Sequence, residues 1–458
     1  VGVLAIMVIL IGVLGLVVVN AMYGSPWATS TVAATIPIAL AMGFYMMHVR
    51  PGRVLEASLG GVVLVLLAVV AGRWVGESAA LRPFFDLGKT TLALALVVYG
   101  FVASVLPVWL LLAPRDYLSA FVKLGTVALL AIGLAIAHPP VQLPALTAFI
   151  DGSGPVFAGP VFPFCFITIA CGAISGFHAL IASGTTPKLL DRETDARMIG
   201  YGAMLMESFV AIMALLSAAV MEPGTYFAIN SPPAAIGATV EHAAEVIRGW
   251  GFAFDPIAFS ELTRQVGEHS LLSRTGGAPS LAVGMAEIFS SVLGGPTLKA
   301  LWYHFAIMFE ALFILTTLDA GTRVGRFMVQ DLLGKLHPAL GKTSSLPANL
   351  LASGLIVSAW GYFLYQGVVD PLGGINSLWP LFGIANQLLA ATALAAATTI
   401  LIKSERPRWA FATALPLAWL LSVTMSAGWL KIFAPDRRLG FLAQADHLAG
   451  QIASGAIP

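Results

Sequence analysis

Charged side chains are scarce in this sequence. Asp, Glu, Lys and Arg make up 10% of its 458 residues, where a soluble domain carries about 25%. With 58% hydrophobic residues and a mean hydropathy of +0.88, too little polar surface exists to cover a water-soluble core. A single soluble globule is excluded, and a polytopic membrane protein remains. The formal net charge is only +1, so no basic footprint for nucleic acid is present. Cysteine is nearly missing too: Cys165 and Cys171 lie six apart, a spacing that matches no zinc or redox motif and reads as two buried free thiols. No H-E-x-x-H, G-x-S-x-G or Walker loop occurs, which removes the common metalloprotease, hydrolase and ATP-driven signatures. The first residue is Val1, in an apolar run to Val19 without a charged n-region; the expectation is the remainder of a longer chain, not a signal peptide.

What is present is a series of apolar runs long enough to cross a bilayer as helices, about 20 residues each. They fall near 1–22, 31–48, 56–73, 89–113, 122–138, 161–183, 199–221, 300–318, 346–366, 377–402 and 409–430, eleven expected spans. Lysine and arginine orient them. Arg50 and Arg53, Arg115, Lys188 to Arg197, Arg323 to Lys342 and Lys403 to Arg408 occupy every second loop. Loops 23–30, 139–160 and 367–376 hold none. The basic loops are therefore expected in the cytoplasm. The tail 431–458 is expected outside, beyond a transmembrane domain of residues 1–430, although it carries Lys431, Arg437 and Arg438.

One outer connection, 222–299, is long enough to carry structure of its own. Within it Leu281, Met285, Ile288, Phe289 and Val292 repeat with a helical period. This predicts an amphipathic helix too short to span, interfacial or re-entrant, entered through Gly-Gly-Ala-Pro with Ser280 as N-cap. It either caps an outer vestibule or lies at the interface.

The run Phe162–Lys188 begins as a span and then spends its middle on Gly172, Ser175, Gly176 and His178. With Pro163, these weaken a regular helix. Freed backbone groups survive in a bilayer only when buried in protein or lining a cavity, and broken helices at midplane form the sites of secondary transporters. Gly172 and Gly176 also form G-x-x-x-G, which close helix packing explains without any site. His178 favours a site, because an ionisable group at that depth is costly. Gly184 can end the helix, with Thr186 and Pro187 opening the next.

Other polar residues repeat the theme. Glu207 lies about a third of the way along span seven, His304 and Glu310 sit six apart on different faces of span eight, and Asn386 and Gln387 follow Pro380 in span ten. A buried carboxylate must be protonated or paired. His178, Glu207, His304 and Glu310 form either a proton relay or a polar cluster joining helices.

The motifs "FITIACGAISGFHALIASGTTPKLL", "YGAMLMESFVAIMAL", "GGAPSLAVGMAEIFS", "FEALFILTTLDAGTRVGRFMVQDLLG" and "NSLWPLFGIANQLLAA" resemble the carbon starvation protein A family of bacterial inner-membrane transporters, from about residue 1 to 430. Members are longer at the amino end. The resemblance implies uptake of peptides or pyruvate. It also implies an all-α fold of the amino acid/polyamine/organocation type, with inverted five-helix repeats whose first helices break at midplane and with an amino-terminal part missing. Gly172 to His178 would then be the broken first helix of the second repeat, and spans seven and eight its second and third. Leu315 to Gly321, "LTTLDAG", is similar to the hydroxyl-rich segment lining the sodium site of related folds, at Thr316, Thr317 and Asp319.

The expected class is thus a multi-pass, ion-coupled secondary transporter and not an enzyme. Candidate substrate-binding residues are Gly172, Ser175, Gly176, His178, Asn386 and Gln387. Candidate ion-coupling residues are Glu207, Glu310, Thr316, Thr317 and Asp319, with protons as the first expectation, sodium the alternative, and no cofactor or metal. A channel would show pore-lining charges repeated by oligomerisation. A nutrient sensor without net transport would want a soluble output domain, and none is visible. The expected partners are a small substrate and the lipid bilayer; the oligomeric state is left open.

Overall fold

A computed structural model describes residues 2–184, 186, 190–369, 374–404 and 406–455. Among them the regular elements are helices: α1 (Gly2–Met22), α2 (Pro26–Phe44), α3 (Val54–Glu77), α4 (Arg82–Phe85), α5 (Lys89–Val105) and α6 (Leu112–Ala137). Next come α7 (Val161–Ile169), α8 (Gly176–Gly184) and α9 (Asp195–Ala219). The long connection holds α10 (Pro223–Asn230), α11 (Pro233–Ile236), α12 (Val240–Gly249), α13 (Pro256–Gln265) and α14 (Ala278–Val292). Then follow α15 (Lys299–Leu336), α16 (Leu346–Val369), α17 (Gly374–Lys403), α18 (Phe411–Phe433) and α19 (Phe441–Ala453), the last lying in the expected tail. Among the described residues ten segments are long and apolar enough to span a bilayer, so the chain is a multi-pass membrane protein. The expected span 89–113 is shorter: α5 has 17 residues and ends before Leu106-Pro107, because the residue before proline is pushed out of the helical region.

The helices form two compact units. One comprises Val1–Leu10, Ala145–Ser208 and Asn376–Pro458, the other Ile11–Pro144 and Phe209–Ile375. The second unit shows why these sequences pack without a hydrophobic drive between helices. On α3 the buried face is Ala57, Ser58, Gly61, Val65, Val69 and Gly72, small residues at helical spacing that let a neighbour approach. A Cβ on Gly61 would meet Met42, and one on Gly72 would meet Trp27, both from α2. The Trp27 indole N–H donates to the Val69 carbonyl at 2.6 Å. The opposite face bears exposed Leu59, Val63, Leu66, Leu67 and Val70, the surface lipid requires.

Several expectations change. Arg115 is no loop residue: it sits in the first turns of α6 and is buried. Arg323 and Arg326, expected in a cytoplasmic loop, are buried within the 38-residue α15. Their physical task is to close α5. Arg323 Nη2 donates to the carbonyls of Ala103 and Leu106 at 3.0 and 3.1 Å, and Arg326 Nη1 to Ser104 at 2.5 Å. The last carbonyls of a helix lack internal donors and favour cations. The helix expected in the outer connection exists as α14, but it begins at Ala278 with Gly277 as N-cap in place of Ser280. It does not lie at an interface: most of its residues are buried, and a Cβ on Gly284 would come within 2.0 Å of the Ser217 carbonyl oxygen of α9. Of the two cysteines, both free, Cys165 is exposed and only Cys171 is partly buried. Pro187 and Lys188 lie outside the described residues. Thr186 donates its hydroxyl back to the Ile181 carbonyl at 3.3 Å.

The alternation of charge also has an exception. The connection between α3 and α5, which the alternation would place outside, contains Arg82 and is flanked by Arg73 and Lys89. The threading is checked with single cysteines at exposed Ser260 and Ser344, in a background where Cys165 and Cys171 are Ser. An impermeant maleimide applied to intact cells should label Ser260→Cys and leave Ser344→Cys unlabelled; the reverse pattern would invert the topology.

Candidate functional site

In the first unit the expected break is present. α7 stops at Ile169, Ala170 adopts φ +48°, residues 170–172 make a single tight turn, and α8 begins at Gly176. Two helix ends therefore meet inside the apolar run, each with unpaired backbone groups. α17 supplies the partners from one face, Trp379, Asn386 and Gln387, while Gly383 and Ala390 on that face pack against Ile167 and Gly176. The Phe177 N–H donates to Asn386 Oδ1 at 2.9 Å, and Asn386 Nδ2 donates to the Ile174 carbonyl at 3.3 Å and to Cys171 Sγ at 3.2 Å. A backbone donor on one side and a backbone acceptor on the other fix the amide's orientation. Gln387 Nε2 donates to the Phe166 carbonyl at 2.9 Å and the Trp379 indole to that of Thr168 at 3.3 Å. Ser175 caps α8 by accepting from the His178 N–H at 3.4 Å.

This geometry redistributes the expected substrate residues. Asn386 and Gln387 are fully buried and spend their amides holding the break open. Gly176 is a packing residue, since a Cβ there would fall 1.9 Å from the Asn386 carbonyl oxygen. Gly172 lies in the tight turn. Ser175 and His178 remain accessible. The His178 side chain is 59% exposed, its Nδ1 close to the Ser175 hydroxyl and 3.5 Å from Glu207 Oε2. Glu207 itself sits midway along α9, deeper than expected.

The second unit holds a separate polar seam, where α6 and α15 run antiparallel. Arg115 Nη1 lies 3.2 Å from Asp319 Oδ2, with side chains 1% and 2% exposed. The Tyr99 hydroxyl of α5 donates to the same oxygen at 2.6 Å, and the Arg115 guanidinium lies 4.7 Å from the Tyr99 ring. One turn on, the Ser119 and Thr316 hydroxyls are 3.0 Å apart. Thr316 places its proton on the Leu312 carbonyl at 2.8 Å, which leaves Ser119 as the donor between them. Another turn on, Lys123 lies over the Phe313 ring at 4.4 Å and within electrostatic reach of Glu310. Asp116 faces Asp319, Lys123, Arg115 and Arg323. Cations Arg115, Lys123 and Arg323 thus lie among anions Asp116, Glu310 and Asp319, with buried Arg326 a further cation beside Arg323. Among the described residues Thr317 bonds the Phe313 carbonyl of its own helix alone, at 3.4 Å. His304, expected among the relay residues, instead stacks on Trp27 at 4.0 Å, while Glu310 turns toward α6. The two do occupy different faces.

The site residues that sequence reading missed are Tyr99, Arg115, Asp116, Ser119 and Lys123. Arg115, Ser119 and Lys123 recur every four residues along α6, a polar stripe on an apolar helix that spacing alone reveals.

Interrupted helices with their loose ends tied by amides, and a line of cations and anions inside the second unit, define a multi-pass helical membrane protein that keeps polar groups within its apolar body. The chain belongs to the carbon starvation protein CstA family, whose profile matches residues 1–427. It is 58% identical over 458 residues to the peptide transporter CstA of Escherichia coli K12, covering 99% of this chain and 65% of that protein. It is 54% identical to the peptide transporter CstA of Mycobacterium tuberculosis H37Rv (98% and 60% covered) and 51% identical to the pyruvate/proton symporter BtsT of E. coli K12 (99% and 66% covered). The chain therefore spans under two thirds of the length of these relatives. No solved structure shows a significant match.

Proposed function

We propose that the chain is the greater part of a secondary transporter that takes up a small carboxylate-bearing nutrient, a peptide or pyruvate, across the bacterial inner membrane in symport with protons. The observation that carries this reading is the α6–α15 seam. Ionisable groups within a span are costly and mark ion pathways, and here cations and anions alternate along one interface. The relatives' names supply the substrate classes. The broken helix α7–α8, with Ser175, His178 and Glu207 beside it, is the expected seat of substrate and of a second proton carrier, as in transporters with discontinuous helices.

Protons are favoured over sodium by how the hydroxyl segment is used. A sodium site would need the oxygens of Asp319, Thr316 and Thr317 free to converge on the ion. Asp319 Oδ2 is held by Arg115 and Tyr99, and Thr316 by Ser119; of these oxygens only Asp319 Oδ1 is left without a partner among the described residues. A guanidinium beside the carboxylate repels a second cation.

Proteoliposomes of the full-length protein with an imposed pH or sodium gradient test the reading. Uptake of labelled pyruvate or dialanine should follow the pH gradient, fall at least tenfold in Glu310→Gln and Glu207→Gln, and persist in Thr317→Ala. Uptake that follows sodium, ignores pH, survives both glutamine variants and is abolished by Thr317→Ala would replace the proton pathway with the hydroxyl segment.

A further inference from the structure

The outer end of the second unit carries more positive charge than a membrane protein places there by default, and that charge gathers around cavities. The larger, about 340 Å3, is walled by the α1–α2 turn at Tyr23 and Gly24, by Asp86 and the start of α5 at Lys89, and by the segment 269–275 of the long connection. This is the size of a small-ligand site, and such sites are typically 300–1,000 Å3. A second cavity of about 180 Å3 shares Gly24 and His269 with it and reaches His304.

The charges sort into those that build the wall and one that does not. Arg73 pairs with Glu77 at 2.9 Å, and Arg82 with Asp86 at 3.4 Å. Arg274 pairs with Glu268 at 2.9 Å and donates to the carbonyls of Ala21 and Tyr23 at 3.1 and 2.9 Å, tying the connection to the end of α1. Lys89 is different. Its ammonium lies 5.0 Å from the Tyr23 ring, and no carboxylate among the described residues comes within ion-pair distance. It stands at the first position of α5, whose N-cap is Gly88 with no side chain to satisfy the first amides; the helix dipole there adds positive potential. His269 adds a donor. Arg82 Nη2 lies 2.6 Å from His269 Nε2, and because arginine can only donate, Nε2 accepts and the neutral ring carries its proton on Nδ1.

We propose that this cavity is an outer receiving site for the carboxylate of a small solute, with the Lys89 ammonium as its counter-ion. The site collects an anion from the outside before the solute moves inward. The inference rests on the proposed direction of uptake but not on the coupling ion. Among the described residues Arg73, Arg82 and Arg274 are each paired with a carboxylate, so Lys89, which has no such pair, sets the sign of what the cavity attracts. Electrostatic capture of this kind acts mainly on the association rate and weakens with salt.

The test reads the cavity directly. Thr275→Cys, in the background lacking Cys165 and Cys171, is labelled from outside with an impermeant maleimide. Pyruvate should slow labelling; acetamide, similar in size and uncharged, should not. Lys89→Gln should abolish the protection and Lys89→Arg restore it. In uptake, Lys89→Gln should raise KM about tenfold with kcat unchanged, in keeping with the loss of one charge-assisted contact. Equal protection by acetamide, or protection that survives Lys89→Gln, overturns the site. Protection is measured without turnover, so the two readings fail separately. Wild-type protein that shows protection but no uptake keeps the site and loses the transport reading. Uptake without protection does the reverse.

Discussion

Asp319→Ala should unfold or nearly unfold the second unit, whereas Arg115→Ala should be tolerated better. Both side chains are all but fully buried. Removing one partner of a buried ion pair costs about 3–5 kcal/mol because the other charge is left uncompensated. The two removals are not equivalent. A guanidinium cannot give up its proton in a protein, so Arg115 without Asp319 loses its ion-pair partner and keeps only the Tyr99 ring and the more distant charge of Asp116. A carboxylate without Arg115 can take a proton and become neutral, still accepting from the Tyr99 hydroxyl. Thermal melting of detergent-purified protein should therefore rank wild type above Arg115→Ala and Arg115→Ala above Asp319→Ala. The double variant Arg115→Met, Asp319→Leu should melt near wild type, since well-packed apolar replacements of a buried pair are often neutral or stabilising. It should nevertheless show no proton-driven uptake. Restored stability with restored uptake would reduce the pair to a structural bolt, and an Asp319→Ala protein as stable as wild type would mean that water reaches the guanidinium.

The sequence and the structure agree wherever a single helix carries its own signal. The ten spanning segments follow from run length. The break between α7 and α8 follows from glycine and serine inside an apolar run. Its starting point does not, because Ala170 at φ +48° is no helix breaker, and its conformation is set by what α17 offers. Roles were harder to read than positions. Asn386 and Gln387 stood out as polar residues in a span, yet both serve backbone groups of another helix more than 200 residues away. Arg115 was hidden by its neighbourhood: beside Pro114 and Asp116 at the end of an apolar run it reads as a loop, and its partner lies 204 residues on. No spacing rule joins such residues. α14 shows the same limit. Its apolar stripe is legible, but Gly284 on the other side packs against α9, so the helix is enclosed where amphipathicity suggests one wet face.

That dependence of the break on α17 leads to the second large effect. Gly176→Ala, a change of one methyl group, should abolish uptake and depress stability, although alanine is the better helix former. The added Cβ would fall 1.9 Å from the Asn386 carbonyl oxygen, 2.5 Å from the Ala390 nitrogen and 2.6 Å from the Leu389 Cβ. Two of these are backbone atoms in a continuous helix, so α8 must move and α17 cannot yield. Overpacking of this kind typically costs about 1–3 kcal/mol. Here the displacement also pulls the Phe177 N–H from Asn386 Oδ1 and leaves buried groups unpaired, at about 1–3 kcal/mol each. His178 and Ser175 ride on the same turn, so their placement beside Glu207 is lost with it. Gly200→Ala and Gly202→Ala are the controls: both glycines lie on α9 with no neighbouring atom within 4 Å of the added methyl, and helix propensity favours alanine by up to about 1 kcal/mol. Melting temperature and initial rate of pyruvate uptake, measured on the three variants together, separate crowding from propensity. The expected result is loss of both readouts in Gly176→Ala alone, and wild-type values in that variant would mean that α8 does not rest against the Asn386 turn of α17.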